Sequence, residues 1–160
     1  MRIVIAAVGR LKKGPDRDLL DRYLKRLAQS GRALSLAPVD LLEIAEGRGA
    51  TAALRQADEA ARLLKLAGGV EALIALDEAG RTHSSRIFAD TIAEYRDQGT
   101  QSIAFLIGGP DGHGDAVRRA ASFKLALGPM TLPHGLVRIV LAEQLYRATT
   151  ILAGHPYHRD

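Results

Sequence analysis

Ile103-Ala104-Phe105-Leu106-Ile107 is an unbroken apolar pentad that runs straight into Gly108-Gly109-Pro110-Asp111-Gly112-His113-Gly114. A strand apolar on both faces must be covered on both faces, the condition of a parallel sheet sandwiched by helices. The rest of the chain repeats that alternation. Residues 2–8 read as a strand closed by Gly9, 33–39 as a weaker strand, and 72–76 as a buried strand followed by Asp77-Glu78-Ala79-Gly80 as a turn. A last apolar stretch covers 123–127. Helices are expected over 16–28, with Leu19, Leu20, Tyr23, Leu24 and Leu27 at helical spacing, and over 51–66, ended by Gly68-Gly69. Others run from Ser84 or Ser85 to about 97, briefly after Gly114, and over 134–152. The fold class is therefore α/β, a mainly parallel sheet with helices on both faces, in one domain spanning 1–160.

A chain of 160 residues needs no covalent staple, because it buries roughly 70% of its unfolded surface. With 47% hydrophobic and 4% aromatic residues, its core must be built from Ala, Leu, Ile and Val. The lack of cysteine excludes disulfides, thiolate catalysis and cysteine-ligated zinc. Residues 3–8 are too short for a signal peptide and are interrupted by Gly9-Arg10-Leu11-Lys12-Lys13. No apolar run approaches the roughly 20 residues of a membrane span, so the expectation is a soluble, cytoplasmic protein with no membrane partner. The net charge of +4 favours an anionic partner such as RNA, but it is spread along the chain and also suits a mildly basic enzyme.

Ligands of open α/β sheets sit beyond the carboxyl ends of strands, where residues 108–114 lie. Glycines there let backbone groups approach a ligand without side-chain obstruction. The spacing matches neither a phosphate-cradling loop nor a dinucleotide fingerprint, and no lysine follows to reach a phosphate. A tight turn is the plainer alternative. Asp111 and His113 are catalytic candidates, though Asp111 and Asp115 read better as caps of the next helix. A second loop, Gly128-Pro129-Met130-Thr131-Leu132-Pro133, is stiffened by two prolines and exposes backbone groups between apolar residues, which suits an adenine.

The final helix is apolar almost all round. Two narrow polar strips interrupt it, one of Arg138 and Thr149, the other of Glu143, Arg147 and Thr150 with Glu143 and Arg147 at i,i+4 spacing. Such a helix must be buried on more than one side, which predicts packing on its own sheet and on a second copy. A well-covered core helix in a monomer is the alternative. The tail, Gly154-His155-Pro156-Tyr157-His158-Arg159-Asp160, concentrates two imidazoles, a phenol and a guanidinium where chains are usually polar and frayed. No carboxylate-rich set completes a metal site around the histidines. Contact with RNA is the sharper reading, with Arg for phosphate and Tyr and His for stacking.

Ile107-Gly108-Gly109-Pro110-Asp111-Gly112, Met130-Thr131-Leu132-Pro133-His134, Leu136-Val137-Arg138, Ala142-Glu143-Gln144-Leu145-Tyr146-Arg147-Ala148 and His155-Pro156-Tyr157-His158-Arg159 together resemble the ribosomal large-subunit pseudouridine methyltransferase H family. The similarity extends to the N-terminal strand and Leu76-Asp77, so it covers the whole chain. The resemblance implies a SPOUT fold with a C-terminal trefoil knot that binds S-adenosyl-L-methionine. It implies a homodimer that methylates N3 of a pseudouridine in 23S ribosomal RNA on the assembled ribosome. Carried over by position, cofactor binding falls on Leu76, Gly109, Gly128, Pro129, Met130, Thr131, Leu132 and Pro133. The catalytic candidates are His155, Tyr157, His158 and Arg159, with reach across a dimer to the other subunit's cofactor as one arrangement. Among them His155 is the favoured proton acceptor and Arg159 the RNA anchor, while Arg138 is a candidate to hold the tail or a phosphate. Family members often carry Ser at the Gly128 position and a larger apolar residue at His113. A non-catalytic ribosome-binding factor and a nucleotide-binding α/β protein are the competing readings.

Overall fold

The computed structural model describes residues 1–158. Five strands, β1 (Arg2–Val8), β2 (Val39–Ile44), β3 (Ala72–Thr82), β4 (Ser102–Ile107) and β5 (Phe123–Ala126), form one sheet in the order β2-β1-β4-β3-β5. Every pairing is parallel, so each connection must cross back over the sheet. The crossovers carry α1 (Pro15–Gly31), α2 (Ala52–Leu66), α3 (Ser85–Asp97) and α4 (Asp115–Ala120), and the chain closes with α5 (His134–Leu152).

The period-2 geometry of a strand divides the core into two layers. Ile3, Ile5 and Ala7 of β1 face α1, α3 and α5, where they meet Leu27, Phe88, Ile92, Leu141 and Leu145. Val4, Ala6 and Val8 face α2 and α4, against Ala60, Leu63 and Val117. Burial of Ile103–Ile107 on both sides is the covering that the apolar pentad demanded. Side-chain caps start two of the helices: Thr51 accepts from the Leu54 amide at 3.2 Å and Ser84 from the Ile87 amide at 3.2 Å. Among the described residues no helix is long and apolar enough to cross a membrane.

Two expected elements differ. Residues 33–39 are not a strand. Arg32–Leu34 form a 3₁₀ turn, Ser35 is left-handed (φ 58), and β2 begins only after Pro38, which has no amide to donate. Leu36 is buried there as a plug, which explains its apolar character without a strand. The second difference is in β3, which continues beyond Leu76. Leu76 and Arg81 both pair with Leu125, so residues 77–80 bulge out and the strand then rejoins β5. A Cβ on Gly80 would stand 2.7 Å from the backbone of Lys124 and Leu125, so only glycine permits that approach.

Candidate active site

The carboxyl ends of β3 and β4 open into a cleft of about 580 Å³. Three separated segments wall it: Leu76 to Glu78 from β3, residues 107–113 after β4, and the loop between β5 and α5. Of the residues expected to bind a cofactor, Leu76, Gly109, Gly128, Met130, Thr131, Leu132 and Pro133 all line it. Pro129 does not. It is exposed, and its ring fixes the backbone of the loop.

The Gly-rich loop is fixed from below. The Gly112 amide donates to the Gly109 carbonyl at 2.9 Å, closing a tight turn. Arg55 of α2 grips Asp111 through two hydrogen bonds of 2.7 and 3.1 Å, and Gln56 donates to the Asp111 carbonyl at 2.5 Å. The Arg55 guanidinium holds the Asp111 carboxyl below the usual carboxylate range. Asp111 therefore does not cap α4, contrary to expectation: Gly114 occupies the cap position without any side-chain bond. Asp115 sits in the first turn of α4, where a negative charge is favoured by the exposed amides.

His113, left open by the sequence, is 3% exposed, and its Nε2 lies 3.1 Å from the Leu106 carbonyl. Burial pushes its imidazole below the ordinary value. It is a structural plug at the floor of the cleft. Asp77, expected in a plain turn, is a lining residue with a largely covered carboxylate. Burial works against its charge, but the Ala79 amide and Arg118, each at 3.0 Å, hold the carboxyl below its ordinary range.

Helix α5 begins at the cleft with His134 and Val137 and runs away from it for 19 residues, about 28 Å at 1.5 Å per residue. The tail folds back on its distal half. The Tyr157 ring lies 4.9 Å from that of Tyr146 and 4.8 Å beneath the Arg147 guanidinium, and its hydroxyl donates to Glu143 at 3.1 Å. Burial, with Tyr23 and Glu143 alongside, pushes the Tyr157 phenol up to about 12. It is therefore a hydrogen-bond donor near neutrality, not a base. His155 Nδ1 accepts the Tyr157 amide at 3.2 Å, which places the ring proton on Nε2. His158 Nδ1 stands 3.4 Å from Arg147. None of these residues lines the cleft of its own chain. Arg159 lies outside the described residues.

Glu143 is the residue that sequence reasoning undervalued. It gathers Arg147, Gln144 and Tyr157 into one network, and its i,i+4 spacing to Arg147 was the available signal. Arg138 is the opposite case. It forms no polar surface strip: it is fully buried, donating to the Val8 carbonyl and, at 2.8 Å, to Glu43, and among the described residues it bonds to none of the tail. Thr149 is buried too, bonded to Ser30 at 2.5 Å. Much of the all-round burial of α5 thus comes from α1, α3 and the sheet of the same chain.

A parallel sheet with a cleft between two glycine- and proline-punctuated loops makes this an α/β protein with a small-molecule site at its strand ends. Residues 1–158 match the family described as "Predicted SPOUT methyltransferase", to which the chain belongs. Its relatives carry a more particular description. Proteins named ribosomal RNA large subunit methyltransferase H are 53% identical in Xanthobacter autotrophicus, over 99% of both chains, and 51% identical in Brucella anthropi, over the full length of both. The protein of that name in a Chelativorans species is 52% identical over all of this chain and 92% of its own length. Among solved structures, a putative methylase family protein from Neisseria gonorrhoeae superposes with a TM-score of 0.49 at 10% identity, covering 91% of this chain and 80% of the other.

Proposed function

We propose that this protein transfers the methyl group of S-adenosyl-L-methionine to N3 of a pseudouridine in 23S ribosomal RNA. It acts in the cytoplasm on the assembled ribosome, as a homodimer in which the tail of one copy completes the cleft of the other. The convergence of three separated segments on one cleft carries the reading. The cleft has the size and character of a small-cofactor site: apolar walls from Leu76, Leu132 and Val137, backbone groups of the two loops, and the carboxylate of Asp77.

When bound, the cofactor supplies a methyl group on a sulfonium, so the reaction is an in-line displacement and the protein's main task is alignment. Leu76, Gly109, Gly128 and residues 130–133 hold the cofactor. The partner's tail meets the RNA, with Arg159 anchoring it and Tyr157 orienting through its hydroxyl. His155 takes the N3 proton. To do so its Nδ1 must release the Tyr157 amide, so rearrangement of the tail on RNA binding belongs to the reading. A remote tail favours two copies, as does the stripe of Leu136, Val140 and Ile151, none of them buried on α5.

The test incubates the protein with labelled S-adenosyl-L-methionine and ribosomes from a strain lacking its gene, followed by mass mapping of the ribosomal RNA. One N3-methylated pseudouridine is expected. Cofactor binding without transfer to RNA would leave a binding factor and overturn the proposal.

A further inference from the structure

Beside the cleft, on the β1 side, the chain holds three cations within four residues: Arg10, Lys12 and Lys13. They occupy the loop between β1 and α1, and all three are exposed. None has an ion-pair partner among the described residues. This is not a frayed segment. Gly9 turns the chain at φ 84, and its amide donates to the Ile44 carbonyl at 2.8 Å. The Leu11 amide donates to Glu43 at 3.2 Å, and the Leu11 side chain packs against Gly135 at the start of α5. Pro15 then opens α1. The loop thus turns its apolar residue inward and its cations outward.

Its position relative to the cleft is set by the same contacts. A Cβ on Gly9 would stand 3.3 Å from Nε2 of His134, a residue of the cleft wall, and 3.5 Å from Glu46. Glu46 belongs to the loop after β2, which carries a fourth exposed cation, Arg48. Two of the nearby carboxylates are committed elsewhere, Glu43 to Arg138 and Arg17 and Asp21 to Arg17. Asp16, Asp18 and Glu46 stand exposed beside the loop, Asp18 across a shallow hollow from Lys13, so the rim carries acidic neighbours among its four cations.

We infer that Arg10, Lys12 and Lys13, with Arg48 beside them, form a rim that docks the phosphates of the ribosomal RNA flanking the target nucleotide. The inference rests on the ribosomal RNA substrate proposed above. A nucleotide entering the cleft brings a polyanionic backbone past its edge, and unpaired, well-placed cations are what such a backbone recognises. Phosphate contacts position the substrate without reading its sequence. The rim also supplies the focus that the chain's modest net charge lacks.

The experiment compares the unaltered protein with Arg10→Ala/Lys12→Ala/Lys13→Ala, and with a control, Arg32→Ala/Lys65→Ala. Arg32 follows α1 and Lys65 ends α2, both exposed at the opposite end of the sheet, where the Met1 amine bonds to Ser35. S-adenosyl-L-methionine affinity is measured by calorimetry and methylation of ribosomes across a salt series. In the triple variant cofactor affinity should stay within about twofold, kcat/KM should fall about tenfold or more through KM, and the salt dependence should flatten by about 0.7 to 0.9 in log–log slope per lost cation. The control should leave all three unchanged. Should the triple variant lose cofactor binding as well, Lys12→Ala/Lys13→Ala and Arg48→Ala are measured in its place against the same criteria. An active unaltered protein with unchanged kcat/KM and salt slope in the variants would overturn the docking rim alone. An unaltered protein that methylates no ribosomal RNA would overturn the proposed function and this inference with it.

Discussion

The carboxylate of Glu59 lies directly beneath Gly109: a Cβ placed on that glycine would stand 2.9 Å from Glu59 Oε2 and 3.0 Å from Val8. Glu59 is itself 3% exposed, held by the Gly47 amide at 2.7 Å, so it has little room to retreat. The glycine therefore serves the cleft from behind. A side chain there would not fill the cleft but would lift the loop that walls it.

Gly109→Val is accordingly expected to weaken S-adenosyl-L-methionine binding by about tenfold or more, a cost of about 1.4 kcal/mol at the lower bound. Calorimetry checks it. Unchanged affinity would place the cofactor elsewhere.

Arg138→Met removes a buried guanidinium and leaves the Val8 carbonyl without that donor. Glu43 keeps Arg17 and the Leu11 amide, so the loss should fall at the lower end for a broken buried pair, about 3 kcal/mol by urea unfolding. A loss below about 1 kcal/mol would show that the buried network contributes little to stability.

His113 gives a pH signature. Its folded-state value is depressed by burial below 6.5, so the unfolded chain binds the proton more readily. The stability from the neutral ring is complete above about pH 6.5 and is lost as the pH falls through the folded value. His113→Leu should therefore gain on the unaltered protein between about pH 7.5 and pH 5.5, by at most about 1.4 kcal/mol per pH unit. Parallel denaturation curves at the two pH values test this. A pH-independent difference would contradict it.

How much of this was legible depended on how local the determinants were. The bounds of α5, a helix opening at Ser84 or Ser85, and the buried β4 followed from periodicity and capping chemistry, while the cap at Thr51 went unread. The apolar character of Leu36 misled, because a plug beside a 3₁₀ turn and a short strand have the same local pattern. Asp111 was misread for another reason: its partner, Arg55, is 56 residues away, and no local rule reaches that far. Arg138 was taken for a polar strip because a helical wheel cannot show that Glu43 waits on the neighbouring layer. The residues expected to bind a cofactor came from resemblance, and what local pattern could not give was the meeting of all but Pro129 in one cleft while Tyr157 lies against the distal half of α5.

Removal of residues 154–160 should leave cofactor affinity within about twofold and abolish methylation, since none of the described tail residues lines the cleft of its own chain. Full activity without the tail would exclude it from the chemistry.

The most direct measurement mixes that tail-deleted chain with full-length Gly109→Val after exchange of subunits, at a cofactor concentration low enough that neither transfers methyl alone. If one copy's cleft works with the other copy's tail, random mixing restores up to about a quarter of the normal number of sites, each pairing an intact cleft with an intact tail. Activity that returns on mixing is the predicted result. Mixed dimers that form, bind the cofactor and transfer no methyl group would contradict the account.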